Sequence, residues 1–283
     1  MIILVALSGC KGNTGKTSTE SSTFELTEAW RSDTLLTTSE SVIYDRKRDL
    51  LYVTCLNNEP RVKDNNGFIS KLSTDGTIIN QKWIEGMHSP KGTAMIGDTL
   101  YAADIDELIV IDINNSKLIR KVPVNGAGML NDITSDDEGN LYISDSDANK
   151  IYRYSNGIIS EWITTGLNQP NGLLAEDNRI FLASMGSKDL VSVEPDSKSF
   201  TVLADGLGMA DGISFTGIKD HYIVTDWNGE IFLIGPDKSR TSLLNTSSQK
   251  INTADCEYIA EKNLLLIPTF FGNGVIAYKL TIK

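Results

Sequence analysis

Six polar residues recur at the same point of a repeating segment: Glu40, Lys91, Asn131, Asn171, Asp211 and Asp255. From Lys91 to Asp211 they stand forty residues apart each time. Carboxylate and amide oxygens brought to one level suit a hard cation such as Ca2+, which takes oxygen ligands. Other chemistries are thinly supplied. Two histidines and three cysteines would nearly all be consumed by one Cys/His zinc site. His88 and His221 lie in no HExxH spacing, and no GxSxG nucleophile elbow is present. Three cysteines build no disulfide framework. Any chemistry must rest on carboxylates, amides, hydroxyls or lysine.

The elements that position these residues read as strands. Leu130-Asn131-Asp132-Ile133, Pro170-Asn171-Gly172-Leu173 and Ala210-Asp211-Gly212-Ile213 open successive units, and Pro90-Lys91-Gly92-Thr93 opens one before them. Ser39-Glu40-Ser41-Val42 and Ala254-Asp255-Cys256-Glu257 extend the series to six. Within a unit, short apolar strands of period two alternate with Gly, Asn and Asp turns, as in Asp136-Asp137-Glu138-Gly139-Asn140 before Leu141-Tyr142-Ile143-Ser144. Four strands per forty residues is the signature of a propeller blade. The expected fold is all-β: a six-bladed β-propeller of four-stranded antiparallel blades over residues 24–283. The last unit supplies three strands, near 256–260, 264–269 and 275–280. Residues 24–34 are expected to add the fourth and close the ring, which removes an open sheet edge. The step from Glu40 to Lys91 carries eleven extra residues, placed at 57–67 as a polar loop projecting from one face. Inner strands start beside the central channel, so the six polar residues are expected to converge there as a ring.

At this level the sequence resembles the regucalcin/gluconolactonase propeller family. The resemblance implies one divalent metal on the axis, Ca2+ by its oxygen donors, held by Glu40, Asn131, Asn171 and Asp211. It implies lactone hydrolysis, with Asp211 as ligand and base. Two positions depart from the family pattern: Met129 stands where an Arg often grips substrate, and Pro90-Lys91-Gly92 stands where related lactonases place a catalytic His. Three roles stay open for Lys91: a catalytic or substrate-binding lysine, an ion pair with Glu40 or Asp255, or an ammonium that replaces the metal. Of these, the ion pair is the first expectation, because three carboxylates share the ring. Two functions follow. One is a metal-dependent lactonase or esterase acting on a small lactone-type substrate. The other is a non-catalytic propeller that binds a ligand or a protein, with a metal or Lys91 filling the ring.

Smaller features carry blander expectations. Asp104 and Asp145, at the ends of second strands, are expected to satisfy turn amides. His88 is expected at the channel rim, and Phe270-Phe271 at the mouth or capping the last blade. Cys55 and Cys256 fall in neighbouring blades, where an exported protein could pair them.

Leu7-Ser8-Gly9-Cys10 resembles a bacterial lipobox after an apolar run too short to span a membrane. It implies a signal over 1–10, lipid attachment at Cys10, a Gly/Ser/Thr-rich tether over 11–23 and an extracytoplasmic place in the cell envelope, with membrane contact through the lipid alone. Gly12-Asn13-Thr14-Gly15-Lys16-Thr17 imitates a P-loop, but Cys10 stands where the motif requires Gly, so no nucleotide is expected. Lys+Arg total 26 against 37 Asp+Glu, a net charge of −11, and no basic run offsets it; nucleic acid is not an expected partner.

Overall fold

The computed structural model describes residues 24–282. They form six four-stranded antiparallel sheets, and in five of them the strands follow one another in chain order from the channel outward. The inner strands are Ser39–Asp45, Pro90–Ile96, Leu130–Ser135, Pro170–Glu176, Ala210–Phe215 and Glu257–Ile259, which open blades one to six. The readings for residues 1–23, including Cys10, lie outside the described residues.

Blade three shows how local sequence makes these sheets. Its second strand, Leu141–Asp145, is buried throughout, while the outer strand Ile158–Ile163 exposes its solvent face. Asn156 and Gly157 join the third and fourth strands with φ of 51° and 83°, the pair of left-handed residues that a type I′ hairpin needs.

The core is divided as the repeat requires. Apolar side chains form six layers, one at each blade junction. Between blades three and four, for example, Tyr142 and Trp162 meet edge to face 4.6 Å apart beside Leu173, Ile180 and Leu182. No strand has a core of its own; each blade is stable only against its neighbours.

The ring closes as expected. Phe24–Arg31 pairs antiparallel with Val275–Ile282, bringing both ends of the described chain into blade six. Two further backbone bonds seal blade six to blade one, from Asp255 N to Glu40 O at 3.2 Å and from Phe270 N to Ser39 O at 3.1 Å.

Candidate functional site

A bulge aims the ring residues. In blade one, Ser39 faces Cys55 and Val42 faces Val53, so Glu40 and Ser41 together oppose Thr54. The same shift occurs between Pro90 and Thr93, Leu130 and Ile133, Pro170 and Leu173, and Ala210 and Ile213. A bulge leaves the extra residue unpaired and bends the strand, and here the first bulged residues are Glu40, Lys91, Asn131, Asn171 and Asp211. Hydroxyls of the second strands satisfy freed amides: Ser41 N donates to Thr54 Oγ1 at 2.9 Å, Asp132 N to Ser144 Oγ at 2.9 Å and Gly212 N to Thr225 Oγ1 at 2.8 Å. Carboxylates ending the second strands fix the approach turn. Asp104 accepts from His88 N and Ser89 N, and Asp145 from Gly128 N, Met129 N and Ala148 N, as expected for these residues.

Neighbouring bulges lie almost in contact. A methyl group on Gly172 would fall 1.9 Å from the carbonyl oxygen of Asp211, and one on Gly92 2.1 Å from Asp132 Oδ1. Glycine follows the ring residue because the next blade fills the space of a side chain.

Burial and hydrogen bonding separate the channel carboxylates and amides into two kinds. Glu40, Asn131, Asn171 and Asp211 are all buried, at 6, 5, 1 and 2% exposure. Their oxygens receive no side-chain or backbone donor among the described residues. Only Asn131 is engaged, through Nδ2 to Ser146 Oγ at 3.1 Å. Glu40 Oε2 and Asn171 Nδ2 are buried without any partner. Buried polar atoms are rarely left so, and each costs free energy. Asp255 and Asp132 differ. Asp255 accepts from Ser41 Oγ and Cys256 N, and Asp132 from Ile133 N and Leu173 N, all within 2.7 Å.

The channel is electrostatically crowded. Burial first, then the carboxylates of Asp211 and Asp255, push the Glu40 carboxyl well above its usual range. Burial, then Asp255 and Asp132, do the same to Asp211. Asp255 is raised by burial to about 6, against the opposing pull of the Ser41 hydroxyl and the Cys256 amide. Two further carboxylates, which the repeat comparison did not single out, belong to this group. Asp132 is raised by burial and by Asp255, and Glu257 is raised to about 8 by burial and by Asp255. Both line the far end of the channel, a cavity of about 280 Å³. Among the described residues no three His, Cys, Asp or Glu side chains form a metal-ready group. The quartet consists of two carboxylates and two amides.

Lys91 is placed differently from the ion pair expected of it. Its ammonium donates to Pro60 O and Ser89 O, each at 3.0 Å, and to Ser89 Oγ at 3.3 Å. No carboxylate lies within ion-pair distance of it among the described residues. The long side chain runs up from the ring to the mouth, where carbonyl oxygens collect it. Burial lowers its pKa to about 8, with Glu40 and Asp104 opposing through space.

The carbonyl of Pro60 belongs to the extra loop of blade one, which folds back over the channel mouth. Arg61 forms a two-pronged pair with Asp147 of blade three at 2.9 and 3.0 Å, and Lys63 pairs with Asp106 of blade two. Asn65 N donates to His88 Nδ1 at 3.1 Å, so His88 supports the loop. On the same face Trp227 packs edge-on against Phe270 and Phe271, the latter 65% exposed. Cys55 and Cys256 are free thiols buried in different blade junctions, not a disulfide.

No protein-family model and no curated protein matches the chain. Solved structures do share its fold. A protein of unknown function from Bacteroides thetaiotaomicron superposes with a TM-score of 0.70 at 10% identity, covering 92% of this chain and 77% of that one. A nidogen/laminin complex gives 0.66 at 18% identity over 78% and 85%. A catalytically inactive virginiamycin B lyase from Staphylococcus aureus, crystallised with quinupristin, gives 0.63 at 13% identity over 92% and 100%. At these identities the likeness is one of fold.

Proposed function

We propose that the protein is a metal-binding propeller of the gluconolactonase type, whose channel quartet holds one divalent cation, Ca2+ by donor chemistry, for hydrolysis of a lactone or small ester. One observation carries the reading. Glu40, Asn131, Asn171 and Asp211 are buried residues whose side-chain oxygens take no hydrogen bond among the described residues, Glu40 Oε2 being fully buried, and they are the four whose types and blades match a metal quartet. A cation would use those oxygens and neutralise two of the crowded carboxylates. When bound, such a cation polarises a carbonyl and acidifies water. Asp211 serves as ligand and proton acceptor. Lys91, with its lowered proton affinity, serves at the mouth as the second acid–base group. The lipobox-like Cys10 would hold this activity at the cell envelope.

A second reading is a binding propeller without turnover. The loop over the mouth favours it, because Lys91 and His88 are both engaged by that loop. Assaying a panel of γ- and δ-lactones with Ca2+, with chelator and with Asn171→Ala separates the two. Hydrolysis lost in both controls supports the enzyme. Calcium binding with no turnover of any lactone leaves the binding propeller.

A further inference from the structure

The cavity at the far end of the channel is lined by Asp132, Asp255 and Glu257 but by none of the quartet. The approach to Glu40, Asn131, Asn171 and Asp211 is therefore the mouth. There the extra loop of blade one, residues 57–67, lies in the way, tied to blades two and three.

The loop is built to move as a unit. Asn57 pins its two ends together: Nδ2 donates to Asn66 O at 3.2 Å, and Oδ1 accepts from Thr37 Oγ1 at 2.6 Å. A short excursion with closed ends is an Ω-loop. At its two ends Asn57 and Asn65 have φ of 59° and 61°, the left-handed region that Asn enters at little cost. Between Asn57 and Asn66 only Pro60 is even partly buried, and Val62 is 44% exposed. No apolar side chain holds the segment down, and segments of that kind open at the lowest free-energy cost.

Every tie across the mouth is polar. Arg61 reaches Asp147 of blade three, Lys63 reaches Asp106 of blade two, and Asn65 N donates to His88 Nδ1. The two ion pairs are exposed, so salt screens them. Lys91 is the exception, at 2% exposure. It starts from the ring position of blade two and ends on Pro60 O at 3.0 Å, with Ser89 of its own strand as its other partner. When the loop lifts, Lys91 loses Pro60 and keeps Ser89.

We propose that residues 57–67 are a lid that must swing off the mouth before a ligand reaches the quartet, with Lys91 as its buried latch and the two ion pairs as its salt-sensitive ties. The proposal rests on the quartet as the working site, but access to that site is measurable without any metal.

The test is the rate at which neutral methyl methanethiosulfonate labels the thiol of Asn171→Cys in the full chain, read by peptide mapping. Adding Asp147→Asn should speed labelling by about threefold, and adding Lys91→Met by about tenfold or more. KCl at about 0.5 M should also speed it, and Arg61→Gln with Lys63→Gln should remove that salt response. Arg31→Gln, which breaks an exposed pair in the outer strand of blade six, should change nothing. Cys55 and Cys256 should stay unlabelled throughout, showing that the lid opens and the fold does not. Should Asn171→Cys fail to fold, Asn131→Cys carries the test. Labelling at the parent rate in Asp147→Asn and Lys91→Met, or a salt response that the double variant keeps, would overturn the lid. Calcium titration of the wild type separates this from the metal reading: no calcium binding beside these accelerations would overturn the metal and support the lid.

Discussion

The Lys91 ammonium meets the Pro60 carbonyl at 3.0 Å, joining a residue of the channel ring to the loop that covers the channel. Of the loop's other ties, Asn65 N donates to His88 Nδ1, and Arg61 to Asp147 and Lys63 to Asp106 are exposed ion pairs of the kind worth about 0–1 kcal/mol each. The buried lysine is therefore the stronger anchor. Lys91→Met should loosen the loop, and trypsin cleavage after Arg61 and Lys63 should speed up several-fold. Cleavage at the wild-type rate would show that the loop is held by something else. The same substitution removes a positive charge that acts on Glu40, so calcium should bind more tightly. A wild type that binds no calcium beside a Lys91→Met variant that does would mean that the ammonium fills the cation site.

Gly172→Ala tests the contact between ring positions. The added methyl group would meet the Asp211 carbonyl at 1.9 Å, with backbone on both sides to resist it. A loss of about 3 kcal/mol is expected from such overpacking. Gly139→Ala is the control: nothing lies within 4 Å, and only its φ of 80° opposes alanine, for about 1 kcal/mol. Denaturant melts that rank the two equally would contradict the close approach of blades four and five.

The channel carboxylates predict an acid-favoured fold when metal is chelated. Glu257 titrates near 4.5 when unfolded and near 8 when folded. Between those values the fold holds the extra proton, so the stabilisation is complete below about pH 4.5 and is lost as pH rises through 8. Asp255, raised to about 6, acts in the same direction. Lys91, lowered to about 8, acts above this window. In EDTA the thermal midpoint should fall from pH 5 to pH 8, and Glu257→Gln should flatten the slope. A midpoint that rises over this range would contradict the raised Glu257 carboxyl.

Both buried thiols should be inert. Burial raises Cys55 to about 12, and Cys256 is raised by burial and by the channel carboxylates. At pH 8 neither carries appreciable thiolate. Peptide mapping after iodoacetamide should find both unmodified in the native protein and both alkylated after denaturation. Rapid native labelling of Cys55 would contradict its place in the junction of blades six and one.

The repeat made the ring legible because a forty-residue period fixes the phase of each inner strand, and the bulge at that phase turns the residue inward. Glu257 was legible too, in a way the reading passed over. Its equivalents are Val42, Thr93, Ile133, Leu173 and Ile213, so a carboxylate there breaks a largely apolar position. Asp132 was hidden among Ser41, Gly92, Gly172 and Gly212, since a small polar residue does not stand out in that company. The direction of Lys91 was not legible. Spacing places a Cα atom, whereas the reach of a lysine is settled by whichever acceptors come near, and these belong to a loop outside the repeat.

The central claim is that four buried side chains await one cation, and calorimetric titration of Ca2+ into the metal-free protein tests it most directly. One site per chain is predicted, weakened by about tenfold or more in Asn171→Ala and in Asp211→Asn. A wild type that shows no calcium binding, or binding that both variants keep unchanged, would contradict it.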